Sequence, residues 1–278
     1  MTLAKSLLAT LTYSDHFAFP LTIDELHSRL IGNRATKPRI MTELTNLVAD
    51  QKVDRKGRYF FLPGRASLIV QRTLRAKAAS SQRARAKALA SKLVRVPGVV
   101  AIYLTGSLAM DNADKNADID VMVITEADKL WTTRLLLTLY TELSGLRRRP
   151  NTTSAGGKLC LNLYLTPDSY ALPESKRNLY TAYELIQAVP LVGSEGTRAE
   201  LLAGNPWIHE FLPNVTFPQR KQKSVANIRS KKNLLENLAY RLQLAYMRHK
   251  ITREYVTPDA AFFHPHNPGD AVLSKITR

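Results

Sequence analysis

Apolar residues between positions 3 and 11 recur at helical spacing, which predicts a short amphipathic helix at the start of the chain. Thr22 is followed three residues later by Glu25, the sequence form of a capping box. The helix it opens is predicted over 23–30, stopping at Gly32. A third helix is predicted from near Pro38, a residue tolerated in a first turn, with Ile40, Met41, Leu44, Leu47 and Val48 on one side. Over 52–62 two β-prone runs flank a charged turn containing Gly57, a hairpin signal.

From 66 to 95 alanines alternate with Arg72, Arg75, Lys77, Arg83, Arg85, Lys87, Lys92 and Arg95, a composition that favours helix; Pro97-Gly98 ends it. The period then changes. Strands are predicted over 99–104, 119–124 and 159–165, with helices over 129–146 and 175–188 between and after them. That alternation argues for an α/β or α+β unit. Farther on come a short apolar segment over 207–212, a proline-punctuated loop, and a helix predicted over 224–249. Its apolar stripe is Ile228, Leu235, Leu238, Leu242 and Ala245. Residues 257–278 show little periodicity and are expected to be loop. The divisions this suggests are 1–65, a basic helical connector over 66–97, a central domain over 98–205 and a helical C-terminal region over 206–278.

Charge sharpens the division. The net charge is +17, yet residues 67–97 carry eight basic and no acidic side chains, while 98–205 carry ten basic and twelve acidic ones. A mildly acidic centre between basic flanks suggests polyanion-facing surfaces beside a metal-binding core. No apolar run approaches the ~20 residues a bilayer span needs, and the N-terminus does not read as a signal peptide. The single cysteine, Cys160, fits a reducing cytoplasm, and no membrane partner is expected.

The chemistry is concentrated in Leu104-Thr105-Gly106-Ser107 and, after ten intervening residues, Asp118-Ile119-Asp120-Val121. A Gly-Ser pair between strand and helix presents backbone N–H groups to a phosphate, and the Ser107 hydroxyl adds a donor. Asp118 and Asp120, two apart on a strand, project from one face. Two carboxylates converging on one point bind a hard cation through oxygen, and without a cation their repulsion makes the pairing costly. Either half alone is common in turns and edge strands; order, spacing and strand context together make the signal.

This motif resembles that of the polymerase-β-like nucleotidyltransferase superfamily, over roughly 99–166. The resemblance implies an α+β fold with a small mixed sheet and transfer of a nucleoside monophosphate from an NTP to an acceptor. It also implies Mg²⁺ or Mn²⁺ held by Asp118 and Asp120, and a triphosphate cradled by Thr105, Gly106 and Ser107. The three helices and hairpin in front resemble a winged helix, and the whole arrangement is similar to bacterial multidomain nucleotidyltransferase-like proteins. Family members often carry a third carboxylate on a later strand. In 158–165 the leucines are expected on one face and Lys158, Cys160, Asn162 and Tyr164 on the other, which puts Asn162 at the third-acid position. An amide is a very poor base. Either another residue activates the acceptor, the acceptor needs no base, or turnover has been lost and the protein is a nucleotide-sensing DNA-binding regulator.

Secondary candidates follow. Arg134, after Trp131, suits phosphate oxygens but equally a structural role. Arg147-Arg148-Arg149 closes a predicted helix, where the dipole favours cations in any case. Lys158 is a candidate for the γ-phosphate. Tyr180 and Glu184 are one helical turn apart and read as a structural pair, with Glu184 a possible substitute base. His264 and His266 lack neighbouring ligands and read as loop. Arg34, Lys37, Arg39, Arg55, Lys56 and Arg58 lie near the third helix and wing, where a nucleic acid would be contacted; a protein partner or acceptor is the alternative.

Overall fold

The computed structural model describes residues 1–149, 156–218, 234–249, 251–252 and 254–263. Its N-terminal part holds α1 (Leu3–His16), α2 (Ile23–Ser28) and α3 (Lys37–Ala49), followed by β1 (Asp54–Lys56) and β2 (Tyr59–Phe61), which pair antiparallel. The capping box forms: Glu25 accepts from the Thr22 N–H at 2.8 Å while Thr22 Oγ1 accepts from the Glu25 N–H at 3.4 Å. Gly57, at φ +59°, supplies the left-handed residue the two-residue turn needs. Leu21 bridges to Phe60, adding a third short extended segment to the hairpin. Leu7, Leu11, Leu26, Ile40, Leu44 and Phe60 form the core here. The first helix runs on to His16, past the apolar stretch that predicts it, because Tyr13 and Ser14 are also buried.

Next comes α4 (Leu68–Leu93), whose Ala86, Leu89, Ala90 and Leu93 are buried against the sheet. The expectation of a connector with uncompensated charges is corrected by its partners. Arg72 grips both Glu25 carboxylate oxygens at 2.7 and 2.9 Å, and Arg83 pairs with Asp111 at 2.7 Å. Arg75 donates to Asn112 at 3.2 Å, and Asn112 in turn donates to the Phe17 carbonyl at 2.7 Å. The helix is thus a brace. It ties the N-terminal helices to the loop that precedes the Asp-x-Asp segment.

The six-stranded sheet contains β3 (Val99–Leu104), β4 (Ile119–Thr125), β5 (Leu159–Leu165), β6 (Val189–Val192), β7 (Tyr255–Val256) and β8 (Ala260–Phe262) in the order β6-β3-β4-β5-β8-β7. Only β4 and β5 run parallel. A parallel neighbour needs a crossover, which α6 (Leu130–Leu143) supplies. One face of the sheet packs on α4 and α6 through Ile102, Val121, Val123, Trp131 and Leu137. The other packs on α7 (Leu179–Gln187) and α8 (Glu195–Ala203) through Tyr103, Met122, Ile124, Leu185 and Leu202. The last helices are α9 (Ile208–Phe211) and α10 (Leu234–Met247), and a four-residue α5 (Gly106–Ala109) follows β3. Among the described residues no helix is long and apolar enough to cross a membrane.

Several expectations change. The predicted α10 start, 224–233, and the residues His264 and His266 lie outside the described residues. The apolar stripe of α10 faces outward: Leu235 is 71% exposed, and Leu238 and Leu242 are also exposed. Its inner side is instead Glu236, Ala239, Gln243 and Met247 against α6. Glu236 accepts from the Trp131 N–H and, at 2.9 Å, from the Thr132 N–H, capping a helix that has no side-chain cap of its own. Residues 255–256 and 260–262 supply β7 and β8, the second inside the 257–278 stretch expected as loop.

Candidate functional site

Thr105 is the residue at which β3 turns into α5, and its N–H donates to the Asp120 carbonyl at 3.0 Å. Gly106 follows with φ +64°, and a Cβ built there would stand 2.6 Å from Asp120 Oδ2. No side chain fits, and the backbone conformation is one that L residues rarely adopt. The Gly-Ser corner and the Asp120 carboxylate are therefore in direct apposition. Ser107 lies beside them, exposed at the start of α5.

Asp118 precedes β4 and Asp120 is its second residue, opposite Cys160 in the β4–β5 register. Ligand atoms of Asp118, Asp120 and Cys160 all lie within 4.8 Å of one another. Burial, and then the two carboxylates, push the Cys160 thiol up to about 12, and soft sulfur is in any case a poor match for a hard cation. The oxygen donors are the two aspartates. Arg148 makes an ion pair with Asp118 at 2.7 Å and lies 3.7 Å from the Cys160 sulfur. Arg147 and Arg149 both turn to Glu142. Arg148 is thus the member of the arginine run that pairs with Asp118; Pro150 and Asn151 lie outside the described residues.

Asn162 donates its amide N–H to Asp120 Oδ1 at 2.9 Å. A carboxylate accepts only, so this bond fixes which end of the amide faces Asp120. The other end, Oδ1, is buried and has no hydrogen-bond partner among the described residues. An orphaned carbonyl oxygen beside two carboxylates fits an oxygen-liganded cation or an incoming hydroxyl. The face assignment that led to Asn162 is corrected, however. The β4–β5 register steps from Leu161 to Leu163 between Val121 and Met122, leaving Asn162 without an opposite residue. As a result Leu159 and Leu161 pack on one side of the sheet with Tyr164, while Leu163 and Leu165 pack on the other.

These groups open into a cavity of about 360 Å³. Gly106, Ser107, Asp120 and Asn162 form one side of it; Tyr13, Phe17 and Arg29 from the N-terminal helices and Tyr180, Tyr183 and Glu184 from α7 form the other. Burial deep beneath the surface raises Glu184 to about 7, although part of the side chain still faces the cavity. The same desolvation, then Glu184 and Asp120, raises Tyr180 well above the ordinary phenol range. No pattern around Tyr13, Phe17 or Arg29 reveals this role, because they sit in or just after short N-terminal helices, far along the chain from the motif.

Other expected residues lie elsewhere. Arg134 is half-buried between α6 and α10, bonded to Gln243 and over the Phe263 ring at 4.4 Å, and does not line the cavity. Lys158 does not line it either; its carbonyl accepts from the Ile119 N–H at 2.8 Å. Arg34, Lys37, Arg39, Arg55, Lys56 and Arg58 are all exposed. Lys37 pairs with Asp24 at 2.5 Å, and Arg55 and Arg58 lean on Phe60 and Tyr59.

Compared with known proteins, residues 86–152 match the family model of the nucleotidyltransferase domain, about a quarter of the chain. Neither the curated proteins nor the solved structures yield a match. The matched segment includes Gly106, Ser107, Asp118 and Asp120 and ends before β5, so Asn162 lies outside it.

Proposed function

We propose that the protein is a metal-dependent nucleotidyltransferase. A nucleotidyltransferase domain implies an NTP substrate and transfer of its nucleotidyl group. The observation that carries the finer reading is the apposition of Gly106 with Asp120 beside Asp118, phosphate-binding corner against carboxylate pair. In the transfer, an acceptor oxygen bonds to the α-phosphorus, the bond from that phosphorus to the β-phosphate oxygen breaks, and pyrophosphate leaves. Asp118 and Asp120 would hold Mg²⁺ or Mn²⁺, which supplies charge neutralisation to the triphosphate. Thr105, Gly106 and Ser107 present backbone and hydroxyl donors to the phosphates. Asn162 Oδ1 accepts from the acceptor hydroxyl and orients it, but cannot take the proton. Glu184, able to exchange a proton near neutral pH, is the receiving group in the same cavity.

Incubation with labelled NTPs, Mg²⁺ and a cellular extract tests the reading: label transfer that Asp120→Ala abolishes supports it. Two observations favour a second reading, a nucleotide sensor with weak or no turnover. They are the amide at Asn162 and the guanidinium already resting on Asp118. Nucleotide binding without transfer to anything would select it. The exposed cations on α3 and the hairpin support nucleic-acid contact by a winged-helix-like unit, or docking of a protein acceptor. Salt-sensitive binding to duplex DNA or tRNA distinguishes the two. A cytoplasmic setting, expected from the lone cysteine, belongs to the same proposal.

A further inference from the structure

Arg29 is the feature of the cavity that transfer chemistry leaves unused. It ends α2, and its backbone is fixed from both sides: its N–H donates to the Glu25 carbonyl at 3.0 Å and its carbonyl accepts from the Tyr183 hydroxyl at 2.6 Å. The side chain is only 17% exposed. Yet no hydrogen bond reaches its guanidinium among the described residues. Its nearest anion, Glu25, is 4.0 Å away and already gripped at both oxygens by Arg72. Phe19 lies under the guanidinium at 5.5 Å. The half-buried guanidinium faces the cavity with five N–H donors and a charge it cannot shed, which suits it to hold an entering anion.

The surroundings specify what enters. Tyr13 stacks on Tyr183 with ring centroids 4.1 Å apart, and Phe17 is 5.4 Å from Tyr13, giving an aromatic wall next to the cation. A cavity of about 360 Å³ falls at the lower end of the range for small-molecule sites, and neither a duplex nor a folded protein surface enters it. Glu184 lies on the same side of the cavity as Arg29, away from the Gly106–Asp120 corner, and disfavours a second, doubly charged phosphate there while tolerating a singly charged carboxylate.

We propose that this cavity is the acceptor site of the transferase, and that the acceptor is a small hydroxylated molecule with a planar apolar body and a carboxylate held by Arg29. The proposal rests on the transferase reading for the fate of the hydroxyl, which points to Asn162 Oδ1. Recognition of the carboxylate stands independently of turnover. The N-terminal helices then form half of the substrate site.

The probe is para-hydroxybenzoate, titrated calorimetrically into the full-length protein without nucleotide, with para-hydroxybenzamide as its neutral counterpart. The wild type is expected to bind the acid saturably in the millimolar range or tighter and the amide at least roughly tenfold more weakly, as loss of a charge-assisted bidentate contact implies. Arg29→Met should weaken the acid by a similar factor while leaving Mg·ATP affinity unchanged. It should also leave the melting temperature of the unliganded protein unchanged or higher, since it removes a half-buried charge without hydrogen bonds. Equal binding of acid and amide, no saturable binding, or an Arg29→Met protein that still binds the acid overturns the proposal. So does a variant that loses Mg·ATP affinity, which would assign Arg29 to the nucleotide phosphates, or one that melts lower, which would make it structural. Failure of label transfer with intact probe binding would instead overturn only the transferase reading.

Discussion

At Gly106 a left-handed φ of +64° coincides with a carboxylate oxygen 2.6 Å from where a Cβ would stand. Gly106→Ala must therefore displace Asp120 or the corner itself. Transfer activity is expected to fall by about two orders of magnitude, the cost of misplacing reacting groups by roughly 1 Å, with NTP affinity falling in parallel. Glu184 is the second residue-scale case. Its folded acid is raised to about 7 from an ordinary 4.5, so the folded state holds its proton more tightly than the unfolded chain. Stability from this group is fully present below the ordinary value and is lost as pH rises through the folded one. Thermal melts of Glu184→Gln should lose that decline between these limits. If Glu184 takes the acceptor's proton, the rate of the wild type rises with pH through about 7, and Glu184→Gln flattens the profile. The Gly-Ser corner and the two aspartates were legible because their spacing is short and local. Arg29 and Tyr13 were not, since only tertiary packing brings them to the motif.

Among elements, α6 depends on a neighbour. It lacks a side-chain cap, and Glu236 from α10 accepts two of its first N–H groups and the Thr132 hydroxyl at 2.8 Å. Glu236→Ala should cost about 1–3 kcal/mol, the penalty for stranding buried donors, measured by urea unfolding. This role was invisible in the chain, where Glu236 reads as a polar interruption of an apolar stripe. Strand periodicity located β3, β4 and β5 closely, but strict alternation misassigned Leu163 and Leu165, because the register step at Asn162 is set by the partner strand. The strands β6, β7 and β8 are only two to four residues long, too short to show a period, and β6 contains Pro190.

Across the whole molecule, α6 and α10 pack on each other, and each carries exposed apolar residues, Leu139 and Leu143 on the one, Leu238 and Leu242 on the other. Because they are exposed, replacing Leu139 and Leu242 with Glu should leave the melting temperature within a few degrees, a shift expected for surface changes within ±0.5 kcal/mol, while lowering light scattering at high concentration. Charge asymmetry indicated basic flanks correctly, but not that α4 would spend Arg72 and Arg83 on internal partners. The sheet order carries a consequence for biogenesis. β3 and β5, which flank β4, gain their outer neighbours only when Val192 and Phe262 have been made. With synthesis at ~5–20 residues per second, the nascent chain carries its aspartates for roughly ten seconds or more before the flanking edge is closed. A ribosome stalled before Ala260 would therefore expose an incomplete edge, and full protease resistance of the centre should emerge only once the segment that forms β8 has left the ribosome.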